Sequence, residues 1–306
     1  MTDRADTALL VVGDVVTDVV ARHRGPLAAG TDTAASIRRL PGGAGGNVAC
    51  WAAWAGHADV RLLGRVGADS ADWHERELTA SGVRPQLVVD ASAPTGTVVC
   101  LVDTGDSAER TFLTDSGASL RISPDDWSDG LLDGVARLHL SGYLLFAEPS
   151  RALASVALAA ARARGVPVSL DPASAGFLAG LGVDRFLSLV EGVDVLLPSR
   201  DEACLLTGLP DARDAAAKLS RQVPSVVVKQ GVEGALVAGA GAVYARIPAV
   251  PASPRDSTGA GDAFTGAFLA ALLAGATTEV AAAAGCRAGA AAVEGVGGRP
   301  PRAATG

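Results

Sequence analysis

Short β-branched runs alternate along this chain with Ala- and Leu-rich stretches of helical length, and that alternation restricts the possible folds more than any other feature. The apolar runs lie at residues 9–12, 60–63, 138–140, 166–170, 193–197 and 226–229. Helical patterns fall between them, at 47–55, 69–81, 150–164, 199–207, 211–220 and 262–274. An apolar run of this length bounded by turns reads as a strand buried on both faces, and strands separated by helices pair in parallel. The expectation is an α/β fold with a mostly parallel sheet, helices on both faces and ligands gathered at the carboxyl ends of the strands.

Two stretches break the rhythm. Residues 15–22 with 31–40, and 97–103 with 110–114, alternate polar and apolar side chains and are joined by turns such as Thr104-Gly105-Asp106-Ser107. They are expected to form a small sheet outside the main core, either a lid over the strand ends or a static extension of the sheet edge. No internal repeat or linker divides the chain. It reads as one domain over 1–306 with lid segments 15–40 and 97–114 inserted, and a loosely ordered tail from Gly295 to Gly306.

Lys and Arg number 26 against 33 Asp and Glu, a net charge of −7 that offers no basic field to nucleic acid or to an anionic membrane. Any anionic ligand must be held by local geometry. Cys50, Cys100, Cys204 and Cys286 lack disulfide or zinc spacing, as expected of reduced thiols in a cytoplasmic protein. Asp3, Arg4 and Asp6 precede the first apolar run, unlike the start of a signal peptide. The apolar region 263–284 is opened by Asp262, interrupted by Gly266 and Gly275, and carries Glu279, so it reads as two buried helices rather than a membrane span.

The chemistry concentrates in five places. Asp256-Ser257-Thr258-Gly259-Ala260-Gly261-Asp262 leads into a helix, where unpaired N–H groups and the helix dipole favour an anion. Asp262 in that turn is either a cap or a proton acceptor for a hydroxyl attacking the bound group. Pro41-Gly42-Gly43-Ala44-Gly45-Gly46-Asn47 precedes a helix expected near Val48, either a ligand-contacting loop or a structural turn. It is neither a dinucleotide fingerprint nor a Walker A sequence. Asp14 and Asp18 follow the first strand. Asp14 is expected to cap a turn and Asp18 to accept hydrogen bonds from a polyol. Finally, Ser199 and Glu202 form a capping box that is also a place for hydrated magnesium, and Lys229-Gln230-Gly231-Val232-Glu233-Gly234 is a hairpin turn whose Lys229 could meet a phosphate.

In their order and approximate spacing these motifs, with Gly64-Arg65-Val66-Gly67-Ala68-Asp69, resemble the ribokinase-like PfkB family of carbohydrate and nucleoside kinases over nearly the whole chain. The resemblance implies a ribokinase-like three-layer sandwich with a small β-sheet lid, and ATP and Mg2+ as cofactors. It also implies Asp262 as general base and the amides of Gly259, Ala260 and Gly261 as anion hole. Asp18, Gly42, Gly43 and Asn47 would hold the sugar. Ser199, Lys229, Gly231, Gly234 and Gly289 would border the nucleotide, whose adenine would lie between that loop and residues 282–289. Glu202 matches the position associated with magnesium. The region of Asp256 and Ser257, with the turn at 292–297, resembles a monovalent-cation loop, and K+ is its expected occupant.

Three departures from the family's pattern touch in turn the phosphate or metal contacts, the substrate and a helix start. Ser199 stands where many members carry Asn. Asp171-Pro172-Ala173-Ser174 lacks the Asn and Arg that tend to follow this Asp in sugar-acid kinases and fructokinases, which weakens a sugar-acid substrate and leaves Arg110 on the lid as a substitute. The usual Gly soon after Asp69 is absent. The expected reaction is phosphorylation of a primary hydroxyl of a ribose-like or fructose-like sugar. The alternatives are a nucleoside kinase for adenosine, inosine or pseudouridine, using Phe112, Trp127 or Tyr143 against the base, and a non-catalytic sugar sensor. Edges of the small sheet could also pair two copies into a homodimer.

Overall fold

The computed structural model describes residues 7–103 and 110–301. The first strand, β1 (Ala8–Val12), is buried at all five positions, its odd residues facing one apolar cluster and its even residues another. The chain then makes β2 (Val16–His23) and β3 (Ala35–Gly42), helix α1 (Ala44–Trp54), β4 (Val60–Gly67), α2 (Ala71–Ala80) and β5 (Val83–Asp90). Next come β6 (Thr95–Asp103), β7 (Arg110–Gly117), β8 (Val135–Ser141), α3 (Glu148–Ala163) and β9 (Val168–Asp171). Helices α4 (Ala175–Leu181) and α5 (Val183–Leu189), strand β10 (Val195–Leu196), α6 (Arg200–Thr207) and α7 (Ala212–Leu219) follow. Strands β11 (Ser225–Lys229), β12 (Ala235–Gly239) and β13 (Ala242–Ile247) precede α8 (Ala260–Leu273) and α9 (Thr278–Val293).

Nine strands form one sheet in the order β13-β12-β11-β10-β9-β8-β1-β4-β5, parallel except where β12 pairs with β11 and β13. Leu153, Leu178, Phe186, Leu206 and Leu219, from α3 to α7, cover one face. Val48, Leu78, Phe268 and Ala281, from α1, α2, α8 and α9, cover the other. The result is the expected three-layer α/β sandwich. The second sheet, β3-β2-β6-β7, comes from the two stretches that broke the rhythm. The turn expected at Thr104-Gly105-Asp106-Ser107 lies outside the described residues.

Some boundaries move. α1 begins at Ala44 rather than near Val48, so Gly45, Gly46 and Asn47 occupy its first turn instead of a loop. β5 was not expected, because an edge strand containing Pro85 and polar alternation lacks a buried strand's apolar run. The larger correction concerns the tail: residues 295–301 are fastened to the core, with Gly297 N–H donating to Asp256 Oδ2 at 3.0 Å and the buried Trp51 indole donating to Gly298 O at 2.9 Å. Their glycine-rich composition reflects close approach rather than loose order, since a Cβ on Gly298 would collide with the Asn47 amide.

α1 and α8 run side by side with their amino termini at the same end of the molecule, and Gly266 makes this possible. A Cβ there would lie 2.5 Å from Val48 O and 2.7 Å from Trp51 Cβ. Helical Gly180 faces open space, with nothing within 4 Å of the same added atom. Gly→Ala normally stabilises a helix by about 0.5–1 kcal/mol, and overpacking costs about 1–3 kcal/mol. Thermal melts should therefore show opposite signs, Gly180→Ala raising the midpoint and Gly266→Ala lowering it.

Candidate active site

The carboxyl ends of β1, β8, β9 and β11 and the amino termini of α1, α6 and α8 surround one cavity of about 1330 Å³, roofed by the small sheet. Two helix dipoles point their positive ends into it from α1 and α8. Gly259, at φ 73°, turns the chain into α8, and Asp262 lies three residues on. Ala260 N–H bends back to Ser257 O at 3.3 Å, whereas the N–H groups of Gly259 and Gly261 have no hydrogen-bond partner among the described residues. Of the expected Gly259-Ala260-Gly261 trio, two amides are thus unpartnered and the third also meets its own turn.

Asp262 Oδ2 accepts a 2.8 Å hydrogen bond from Asn47 Nδ2, across 215 residues of sequence. The Asn47 amide is held from its other side, where Oδ1 accepts from Arg299 Nε at 2.9 Å. Arg299 also donates to Gly42 O, at 3.3 Å, and to Cys50 Sγ. Because Arg299 only donates, the Asn47 oxygen must face it and the amide nitrogen must face Asp262. Burial pushes the Asp262 carboxyl up to about 7, with the Asn47 hydrogen bond working against that rise.

Asp14 does more than cap a turn. Its oxygens accept from Ala44 N at 2.8 Å, Gly45 N at 3.3 Å and Ser141 Oγ at 2.9 Å, which pins the start of α1 to the ends of β1 and β8. Asp18, on β2, faces the cavity with Asn47 and Gly43. Gly42 lies behind it, and any side chain there would overlap the Asp18 carboxylate. Burial lifts Asp18 to about 7, opposed chiefly by the charge of Arg299.

On the far side of Asp262, Lys229 pairs directly with Asp171 Oδ2, which also accepts from Thr265 Oγ1 at 2.8 Å. Burial works to lower the pKa of Lys229, but Asp171 and Glu202 outweigh it and raise it. Glu202 closes the capping box with Ser199, its Oε2 accepting Ser199 N–H at 2.7 Å. Its own pKa is raised, first by burial and then by Asp171. A desolvated cation thus stands between an anion-seeking helix start and two carboxylates, an arrangement suited to a polyanion arriving beside a hydroxyl compound.

A sequence profile described as pfkB family carbohydrate kinase matches residues 6–304. The chain belongs to that family. It is therefore a sugar kinase, an ATP-dependent phosphotransferase with an alcohol group as acceptor. It is 32% identical over 274 residues to a fructokinase of Klebsiella pneumoniae, covering 86% of this chain and 84% of that protein. To a ribokinase of Arabidopsis thaliana it is 30% identical over 285 residues, covering 89% and 72%. Its backbone matches a candidate ribokinase II of E. coli, in complex with ATP and Mg2+, with a TM-score of 0.84 at 23% identity, covering 95% and 94%. At that identity the likeness is one of fold.

In this PfkB kinase the remaining expected residues divide unevenly. Ser199, Lys229, Gly231, Gly234 and Gly289 all line the cavity, alongside an apolar slot of Val250, Cys286, Ala290 and Val293. Arg110, in β7, pairs with Val102 of β6, and its side chain lies outside the described residues. Asp256 sits apart from the cavity lining, its oxygens accepting from Thr258 N at 2.9 Å and Gly297 N at 3.0 Å. Trp127 packs against the core instead of facing the acceptor. Phe177 and Tyr143 line the cavity, and Phe146 stacks on Phe177 at 5.1 Å. Among the described residues, no three His, Cys, Asp or Glu side chains are grouped to hold a metal, and no helix is long and apolar enough to cross a membrane.

Arg299, Ser141 and Thr265 were not anticipated, since nothing near them in sequence marks them. The raised carboxyls leave a signature in stability. A carboxyl of pKa about 7 in the native state and 3.8 unfolded favours folding fully below pH 3.8, and that advantage is lost as pH rises through about 7. Asp262→Asn and Asp18→Asn should each raise the melting midpoint by a few degrees at about pH 8, with the gain shrinking toward about pH 4. An equal gain at both pH values would contradict this account of the two carboxyls.

Proposed function

We propose that the chain transfers the γ-phosphoryl group of ATP to a primary hydroxyl of a small sugar, ribose-like or fructose-like. One juxtaposition carries the reading: Asp262, held by Asn47, shares its helix turn with the N–H groups of Gly259 and Gly261, unpartnered among the described residues, inside the cavity beneath the small sheet. Asp262 takes the proton of the attacking hydroxyl, and a base of pKa about 7 is ionised near neutrality while still basic enough to accept it. The amides of Gly259 and Gly261 meet the charge on the migrating group. Asp18, Gly43 and Asn47 hold the sugar, and Gly42 keeps the space that Asp18 needs.

The nucleotide half is Ser199, Lys229, Gly231, Gly234 and Gly289, with the adenine in the slot of Val250, Ala290 and Val293. The residues present do not build a protein cage for Mg2+, because among the described residues no three His, Cys, Asp or Glu side chains gather around Glu202. The ion would fit as a hydrated partner of the phosphates, supplying charge screening, and Glu202 would be the residue to hold it through water. Asp256, which ties residue 258 to residue 297, lies where K+ is inferred. Residues 1–306 act as one kinase domain, with the small sheet as lid. Ile37 and Leu113 on its edge strands are 64% and 56% exposed, which supports pairing of two lids, and sedimentation of a strict monomer would remove that part of the reading.

A second acceptor class has an observation of its own. Tyr143 and Phe177, 5.8 Å apart edge to face, lie in the same cavity as Phe112 and Val98 of the lid, giving a nucleobase aromatic and apolar walls. A nucleoside kinase would use the same base and amides.

Asp262→Asn should retain nucleotide binding and lose phosphoryl transfer by about 10²- to 10⁴-fold. In the unmodified enzyme kcat should rise with pH through about 7 as Asp262 ionises. Turnover measured across sugars, sugar acids, sugar phosphates and nucleosides separates the acceptor classes. Undiminished activity in Asp262→Asn, or a rate flat across neutral pH, would overturn the assignment.

A further inference from the structure

A second concavity, of about 780 Å³, opens where the outer ends of β2 and β3 meet the segments around residues 255 and 296. Arg22, Arg24, Arg38 and Arg255 line it, with the hydroxyls of Thr33 and Ser36, and no acidic residue does. The arginines come from three separate stretches of chain, so no basic run in the sequence brings them together. Among the described residues, none of the four side chains is held by an ion pair or hydrogen bond. Asp256, next to Arg255, accepts hydrogen bonds from the backbone of residues 258 and 297. In a chain of net charge −7, four guanidinium groups around one hollow are an exception to the general charge.

We propose that this hollow binds a multiply charged oxyanion, of the phosphate or carboxylate class. Four like charges facing one space repel each other unless a counter-ion joins them. Guanidinium groups present paired N–H donors in a planar fork that matches two oxygens of such an anion, and the two hydroxyls add donors of the same kind. The position ties the hollow to the first cavity. Val20 lines both, and the β2–β3 register pairs Val20 with Arg38 and Arg22 with Ser36. Asp18, Val20 and Arg22 alternate along one strand and share a face, so the anion site continues the acceptor side of the lid outward. The anion is either the far end of an anionic acceptor or a separate ion bound on the lid. The site itself stands without the kinase reading, which enters only in distinguishing those two sources.

Calorimetric titration of the full chain with inorganic pyrophosphate at low ionic strength tests it. The affinity should weaken as salt is added, and should fall by about tenfold or more in the Arg22→Ser/Arg38→Ser variant, since hydrogen bonds to charged groups are being removed. Arg24→Ser/Arg255→Ser should show the same loss, and decides the matter if the first pair fails to fold. Absence of binding by the unmodified chain, or equal affinity in all three proteins as the Gly259 loop alone would give, overturns the proposal. For the source, KM for a sugar phosphate or sugar acid that rises in the variants, while KM for the neutral parent sugar stays, assigns the anion to the acceptor. Pyrophosphate that alters turnover of the neutral sugar without competing with it assigns a separate ion. Arginine-dependent pyrophosphate binding in a chain that phosphorylates no acceptor would leave the site standing and remove the kinase reading.

Discussion

The contact between α1 and α8 is the constraint on which the rest of the site depends. Gly266 lets the two backbones approach, and their shared direction brings both amino termini to the same cavity. Only from that approach can Asn47 reach Asp262 at 2.8 Å. The two glycine-rich motifs are thus halves of one device, each supplying a helix start and one polar side chain. Asp14 fixes the first half to the sheet through Ala44, Gly45 and Ser141. Gly297 and Asp256 fix the second.

Around this device the molecule tolerates charge in places that favour neutrality. Asp18 and Asp262 are held well above the ordinary carboxyl range by burial, and Lys229 is kept charged between Asp171 and Glu202. Buried carboxylates without a full set of partners cost stability, and here they face the space where substrates enter. Asp171 is different. It is engaged with Lys229 and Thr265, so its work is to position the lysine rather than to meet an acceptor. The absence of Asn and Arg after Asp171 leaves the opposite wall to Tyr143 and Phe177, which makes that wall more apolar than a sugar acid requires.

The layers of the fold were legible because buried parallel strands need uninterrupted apolar runs and their helices need length, and neither can be disguised. Edge strand β5 was not, since one polar-flanked strand with Pro85 carries no such run. At the site, Asp262, Asn47 and the glycines announce themselves by the strictness of their backbone demands. Arg299 announces nothing: an arginine between Gly298 and Pro300 looks like tail, and its worth lies in a contact 252 positions away in the chain. The same holds for Ser141 and Thr265, common polar residues whose partners only the topology supplies. Ala44 as the start of α1 was missed because glycines in a first turn imitate a loop.

The Arg299–Asn47–Asp262 connection joins a residue near one end of the chain to one near the other. During synthesis the large sheet can begin to form from β1, β4 and β8 long before residue 299 has emerged. Until then the amide of Asn47 has Asp262 alone to orient it. A chain lacking residue 299 can therefore look folded by its sheet and yet leave the Asn47 amide without its second partner beside Asp262.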